Sequence, residues 1–337
     1  MTKLNSVSDL ARSYQLRLSQ TGLKSKLDTL AKETTTGVKS DIPLALGGDL
    51  TRINQLETRL AQLKTHGLNL AEVQGQLSGM QTALEQVQSV AQATGTLLLS
   101  EALISSDPAL ILQIRKAPDE MRGVIAALNT SVAGRFVFSG TRSDQPAMAS
   151  HADLMAQLTT AVAGQTDPAQ ILAAINGYFD APPGGGGFAD TGYLGSPGGT
   201  TLTAVAPEQK LGSDLTADAP ELRDTLRGLS IMAYAAENLT LAPLTLRELT
   251  RAAGFLLVNG EGQLTNARSA IGVQEEAAAR LKTANDAENS ALLIARNGLI
   301  AADPYDTATA LKEVEANIET IYTLTARLSK LSLTGYL

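Results

Sequence analysis

The sequence predicts a mainly α-helical fold: an elongated antiparallel coiled-coil or helical-bundle rod built from N- and C-terminal segments, with a small inserted α+β domain in the middle. Three observations carry this expectation. Apolar residues between 50 and 100 recur in steps of three and four, the same spacing returns from Leu264 to Leu299, and the stretch between them holds a run too rich in glycine and proline for a helix. Only 4 % of the residues are aromatic and none is tryptophan, so the helices must meet through aliphatic seams rather than around an aromatic centre.

In chain order, the first 40 residues read as a terminal helix with seven Lys/Arg against three acids, a local excess of positive charge. The long helix that follows has its seam at Ile53, Leu56, Leu60 and Leu63, then at Leu70, Val73, Leu77, Met80, Leu84, Val87, Ala91 and Leu98. This is the 3.5-residue period of a coiled coil. The step changes near His66 and Gly67, where a local overwinding or kink is expected. Helical character runs on to about Ala133, and Gly134 is placed to end it with a left-handed cap. "RFVFSG" then alternates like a short strand with Phe136 and Phe138 on one face, and Gly140 begins a turn.

Residues 141 to 255 read as an inserted module of short helices and a few strands, "TLTAV" among them. The second long helix keeps 3-4 spacing at Leu264, Ala267, Ile271, Gln274, Ala278, Leu281, Asn285, Glu288, Leu292, Ala295 and Leu299. Its three polar seam residues cost stability and favour a fixed register. After "ADPYD" the pattern resumes at Leu311, Val314, Ile318, Ile321, Thr325 and Leu328. Asp107-Pro108, Asp167-Pro168 and Asp303-Pro304 each offer a capping side chain before a first-turn proline. Asp167 with Gln170 and Asp218 with Glu221 resemble capping boxes. The 337 residues divide into three nested parts: 1–40 with 303–337, 41–140 with 256–302, and 141–255.

Charge and chemistry exclude several function classes. A net charge of -7 gives no basic field for displacing counterions from phosphates, so no nucleic-acid partner is expected. No apolar run approaches the ~20 residues that span hydrocarbon, so no membrane partner is expected either. With no cysteine there are no disulfides, thiolate metal sites or cysteine nucleophiles. His66 and His151 are too few for a histidine metal site and read as surface or linker residues. The "GGGG" at 184–187 lacks the Lys-Ser/Thr of a phosphate loop and reads as flexible. Glu275, Glu276 and Glu288 fit a solvated, salt-bridged helix face, and Met80 and Met121 fit core packing. No catalytic residue, cofactor site or metal site is assigned, and the chain is expected not to be an enzyme. No secretory signal precedes the first helix; that test alone would leave the chain in the cytoplasm.

The ends pose a further question. "LTARLSKLSLTGYL" stays apolar to its last residue, so it either folds back onto the first helix or orders on meeting another subunit. Tyr14 and Tyr322, one near each end, suit a seam in which a ring is buried and its hydroxyl reaches a partner. Seam spacing makes Val7, Leu10, Tyr14 and Leu18 one side of an assembly interface, with Ile318, Ile321, Tyr322, Leu328, Leu331 and Leu333 the other.

Gly134, Arg135, Phe136, Phe138 and Gly140, followed by "TRSDQP", resemble the "GRYIFAG"-type segment of the flagellar hook-filament junction family, the third hook-associated proteins, which are flagellin-like. "SVSDLARSYQLRLSQTGLKSKLDTLAKETTTGVKSD" is similar to that family's first helix and following loop, with Thr36-Gly37-Val38-Lys39 in the matching place. "EANIETIYTLTARLSKLSLTGYL" resembles the C-terminal helix shared with flagellins. The likeness covers residues 5–140 and 255–337. It implies a non-enzymatic structural component of the bacterial flagellum that joins hook to filament by coiled-coil packing between subunits. It also implies synthesis in the cytoplasm, export by the flagellar type III apparatus and a secreted location in the flagellum. The terminal helices become an inner assembly domain and residues 141–255 an outer one. Implied partners are further copies in a ring or tube, other hook-associated proteins, flagellin, and a cytoplasmic export chaperone at the C-terminus. Because "KSDIPLALGGD" replaces the segment that usually follows a flagellin's first helix, an atypical flagellin is the alternative, and a coiled-coil adaptor the next.

Overall fold

The computed structural model describes residues 3–104, 107–196, 199 and 202–334. Its helices are α1 (Lys3–Thr36), α2 (Ile42–Ala45), α3 (Thr51–Ile104), α4 (Asp107–Ile114), α5 (Ala117–Leu128), α6 (His151–Ala161), α7 (Pro168–Asp180), α8 (Phe188–Thr191), α9 (Pro220–Glu237), α10 (Pro243–Ile300) and α11 (Pro304–Thr334). Two small antiparallel hairpins complete the described residues: β1 (Ser131–Val132) with β2 (Arg135–Phe136), and β3 (Thr203–Ala206) with β4 (Gln209–Leu211). The fold is mainly α, as the periodicity predicts. Two compact units divide the chain, Met1–Lys64 with Ala287–Leu337, and Thr65–Asp286.

In the Thr65–Asp286 unit, α3 buries Leu70, Val73, Leu77, Met80, Leu84, Val87, Ala91, Thr94 and Leu98, an unbroken run of 3-4 steps. From α10, Leu246, Leu249, Ala253, Leu257, Leu264, Ala267, Ile271 and Ala278 are buried on the same rhythm. Small residues let these helices approach closely. A Cβ on Gly95 would lie 2.9 Å from the Leu257 Cβ, and one on Gly254 would lie 3.0 Å from Leu99 Cγ. Beside this contact, polar side chains fix the register: Gln81 donates to the Arg268 carbonyl at 2.8 Å, and Arg268 donates to Gln88 at 2.7 Å. Gln88 in turn donates to Glu261 and to Thr265, both at 2.9 Å. Satisfying these groups laterally keeps the apolar seam free of unpaired amides.

Helix α9 is the centre of the other half of this core. Eleven of its eighteen residues are buried, more than one amphipathic face supplies, because α4, α5, α6 and α7 all pack against it. Phe179 and Phe188 stack at 4.9 Å between ring centroids beside α9, with the Arg227 guanidinium 5.7 Å from the Phe179 ring and paired to Asp180.

Several local expectations change. Helix α5 ends at Leu128, not Ala133, and Ala133 (φ +52°) with Gly134 (φ +78°) form the β1–β2 turn instead of a helix cap. Two consecutive left-handed residues match the right-handed twist of a tight hairpin. Asp218 is not a cap: Ala219 holds that position, and Asp218 pairs with Arg223 at 3.0 Å. Asp107 opens α4 but spends its carboxylate on Arg247 at 2.7 Å. Helix α10 begins at Pro243, inside the expected insertion, and α3 is not interrupted at His66 or Gly67. Gly67 is instead a contact point, since a Cβ there would lie 3.3 Å from Asn285 Nδ2. The glycine run is also tethered: the Gly184 and Gly186 N–H groups donate to Asp190 at 2.8 and 2.7 Å. Asp167 caps α7 as expected, accepting from Ala169 and Gln170.

Candidate assembly surface

In the other unit the terminal helices α1 and α11 lie packed together. The sequence of α1 explains which face does this. Leu16, Gln20, Leu23, Leu27 and Leu30 fall at steps of four, three, four and three, and these are the less exposed positions of the helix, Leu30 being buried. On α11 the matching stripe is Thr307, Leu311, Val314, Ile318 and Ile321, with Thr307 and Val314 buried and the others half-buried.

The connecting loops tie the pair at one end. Gly37 closes α1 in a left-handed conformation (φ +68°), its N–H donating to the Glu33 carbonyl. The Lys39 N–H then donates to the Ile300 carbonyl at 2.9 Å and the Ala302 N–H to the Gly37 carbonyl at 3.0 Å, around an antiparallel bridge of Val38 with Ala301. Asp303 caps α11, accepting from the Tyr305 and Asp306 N–H groups at 2.8 and 3.1 Å. In the same unit, Arg59 makes a two-pronged contact with Glu288 at 2.6 and 2.9 Å, which holds that carboxyl below its ordinary pKa, and Arg296 pairs with Glu57. The polar seam residue Glu288 thus sets register through an arginine on the facing helix.

Against this geometry the expected interface residues separate. Ile318 and Ile321 sit on the stripe turned toward α1. Tyr14 and Leu18 do not: they are 67 % and 63 % exposed, on a face of α1 away from its leucine stripe. Tyr322 is 48 % exposed and its neighbour Leu324 46 %. The side chains of Val7, Leu10, Leu328, Leu331 and Leu333 lie outside the described residues. Sequence reasoning missed Leu16, Leu23, Leu27 and Leu30, although their 3-4 spacing was readable in "LRLSQTGLKSKLDTL".

The motif segment lies in the Thr65–Asp286 unit and has a structural part to play. Arg135 reaches Glu72 of α3 at 3.0 Å and Ser143 at 3.2 Å. Phe136 is half-buried, whereas Phe138 is fully buried and its carbonyl accepts from the Ala217 N–H. Gly140 (φ +62°) passes so near the Ser196 and Gly199 backbone that a Cβ would lie 2.7 Å from the Ser196 carbonyl oxygen. The segment therefore joins α3, the β1–β2 hairpin and the loop before α9 through Arg135, Phe138 and Gly140.

Among the described residues no group of three or more His, Asp or Glu side chains is placed to hold a metal ion, and no helix is long and apolar enough to cross a membrane. His151 starts α6, half-buried, and burial pushes its pKa down.

No protein-family model matches the chain, and no curated protein matches it in sequence. Among solved structures the chain is similar to a candidate flagellar hook-associated protein from Vibrio parahaemolyticus, with a TM-score of 0.50 and 14 % identity. The match covers 73 % of this chain and 95 % of the other. At that identity the likeness shows the fold alone.

Proposed function

We propose that the chain is a non-enzymatic structural component of the bacterial flagellum, joining hook to filament by packing its terminal helices against those of neighbouring copies. One observation supports it most: the shared fold with a protein described as hook-associated covers nearly all of that protein, while the junction-type motif at 134–140 occupies an ordered junction of this fold. The exposed Tyr14, Leu18, Tyr322 and Leu324 fit the reading, because a helix pair with apolar residues on its outer faces has surface to offer a neighbour. On this reading Val7, Leu10, Leu328, Leu331 and Leu333 extend the contact toward the chain ends. Residues 141–255 face outward, partners include other hook-associated proteins, flagellin and an export chaperone, and delivery follows the flagellar type III route.

The test is a deletion strain. It should build hooks but shed its flagellin into the medium, and the full chain should restore attached filaments while a chain lacking residues 315–337 should not. Attached filaments in the deletion strain, or restoration by the shortened chain, would overturn the proposal. A flagellin would instead elongate filament fragments in vitro, and a junction component should not.

A further inference from the structure

We infer that the outward line of α10 formed by Leu244, Glu248, Arg251 and Phe255 pairs with the same line on a second copy of this chain, antiparallel across a two-fold axis. The inference goes beyond the proposed function, since the line belongs to the Thr65–Asp286 unit and involves neither terminal helix.

Its starting point is the composition of one helix face. Through the first turns of α10 the buried positions are Thr245, Leu246, Leu249, Thr250 and Ala253, so the opposite face meets solvent. Such a face is ordinarily polar. Here it holds Leu244, 76 % exposed, and Phe255, 56 % exposed. Of the five phenylalanines, Phe138, Phe179 and Phe188 are fully buried and Phe136 is half-buried, which leaves Phe255 as the exposed one. Between the two apolar residues stand Glu248 and Arg251, both exposed. At 3.6 residues per turn the four positions, spaced four, three and four apart, fall within about 60° of one another. They make one line along the helix. Among the described residues neither Glu248 nor Arg251 takes part in an ion pair, with each other or with any neighbour.

The order along the line names the occupant. From Leu244 it runs apolar, acidic, basic, apolar, and reading it backwards exchanges only the two charges. Antiparallel helices packed along such 3-4 seams set the residues of one against those of the other in reversed order. With the two-fold axis midway between Glu248 and Arg251, Leu244 meets the second copy's Phe255 and Glu248 meets the second copy's Arg251. Each contact is made twice.

Charge also excludes the alternatives. A parallel pair sets Glu248 on Glu248 and Arg251 on Arg251, and like charges directly opposed disfavour a contact. Sliding the antiparallel pair by one heptad sets Glu248 on Val258 and Arg251 on Phe255, which leaves both charges without a partner. Charges inside a seam lower its affinity while they fix register and direction. The line is about 17 Å long at 1.5 Å per residue, so the contact lies at the low end of interface sizes and the pair is weak and reversible. An isologous contact of this kind closes after two copies. It builds neither a ring nor a tube by itself, so it belongs to free chains rather than to the junction proposed above.

The experiment is sedimentation equilibrium on the full-length chain at about 0.1 M sodium chloride, over a concentration series reaching about 1 mM because the contact is small. The natural chain should show a reversible monomer–dimer equilibrium. Glu248→Arg alone and Arg251→Glu alone should each weaken it at least about tenfold, because each homodimer then opposes like charges twice. An equimolar mixture of the two variants should recover dimer to within about threefold of the natural chain, since both ion pairs re-form in the mixed pair. The double variant Glu248→Arg/Arg251→Glu should recover it as well. A misfolded variant is not rescued by mixing, so failure of both the mixture and the double variant overturns the inference. Dimers indifferent to both single reversals overturn it too, and assign association to another surface such as the terminal helices. A natural chain that stays monomeric up to the highest concentration overturns it by leaving the line to a different partner. The deletion strain decides the flagellar reading separately.

Discussion

At Gly140 the backbone is left-handed and a side chain would meet the Ser196 and Gly199 carbonyl oxygens, so Gly140→Ala combines conformational strain with a steric clash against backbone. Urea denaturation of the full chain should show a loss of about 2 kcal/mol or more. Gly262 is the control, lying in α10 with nothing within 4 Å of a built Cβ. There Gly262→Ala should stabilise by up to about 1 kcal/mol, since alanine loses less backbone freedom in a helix. Asp190 provides a pH test. Two glycine N–H groups favour its charged form and hold its pKa below the ordinary carboxylate value. A depressed native pKa contributes stability above the unfolded pKa and loses it as pH falls through the native one. The drop in melting temperature from pH 7 to the acid side of the carboxylate range should therefore be smaller for Asp190→Asn than for the natural chain; an equal drop would mean the tether adds nothing. This tether was not legible in the sequence, where four glycines read as flexible, because the partner that orders them is a single carboxylate three residues beyond the run.

Among the elements, α3 and the later part of α10 were legible because their seams are strict and their apolar residues are buried or half-buried. The start of α10 was not: although "PLTLRELTRAAGF" opens on a first-turn proline, it carries weak helix formers such as threonine and glycine. Helix α1 shows a different limit. "YQLRLSQTGLKSKLDTL" holds two interleaved apolar stripes, Tyr14/Leu18 and Leu16/Leu23/Leu27/Leu30, and spacing alone does not say which one faces α11. Tertiary packing gives that place to the longer, all-leucine stripe. The two stripes predict opposite mutant behaviour. Leu30→Ala removes a buried side chain and should cost about 2–3 kcal/mol in the transition that melts α1 and α11, read as helicity at 222 nm. Leu18→Ala should stay within about 0.5 kcal/mol in the unassembled chain while weakening self-association. Equal effects of both on melting would mean the stripes are misassigned. The mixed segment 141–242 was legible only in kind: its helices bury their faces on α9, and an element surrounded on most sides loses the amphipathic signature that periodicity detects.

Over the whole molecule the apolar core is unevenly distributed. The continuous cluster of buried side chains runs from Leu70 to Ala278, all within the Thr65–Asp286 unit. In the other unit the buried apolar residues described are Leu30, Ile53, Leu63, Ile300, Ala302 and Val314. Local stability tracks buried apolar contact, so the two units should open with different free energies. In the unassembled chain, amides in 14–34 and 305–327 should exchange roughly a hundredfold or more faster than those in 70–98 and 222–235. On assembly the terminal amides should become protected while the others change little, because a neighbour's helices then supply the cover that one chain lacks. Such a difference is what a structural subunit needs if its ends are to order only at their destination. If the terminal amides of the isolated chain are instead as protected as the core, α1 and α11 already satisfy each other within one molecule. The exposed tyrosines and charges would then be ordinary solvated surface, and a free-standing coiled-coil adaptor would become the better account of the fold.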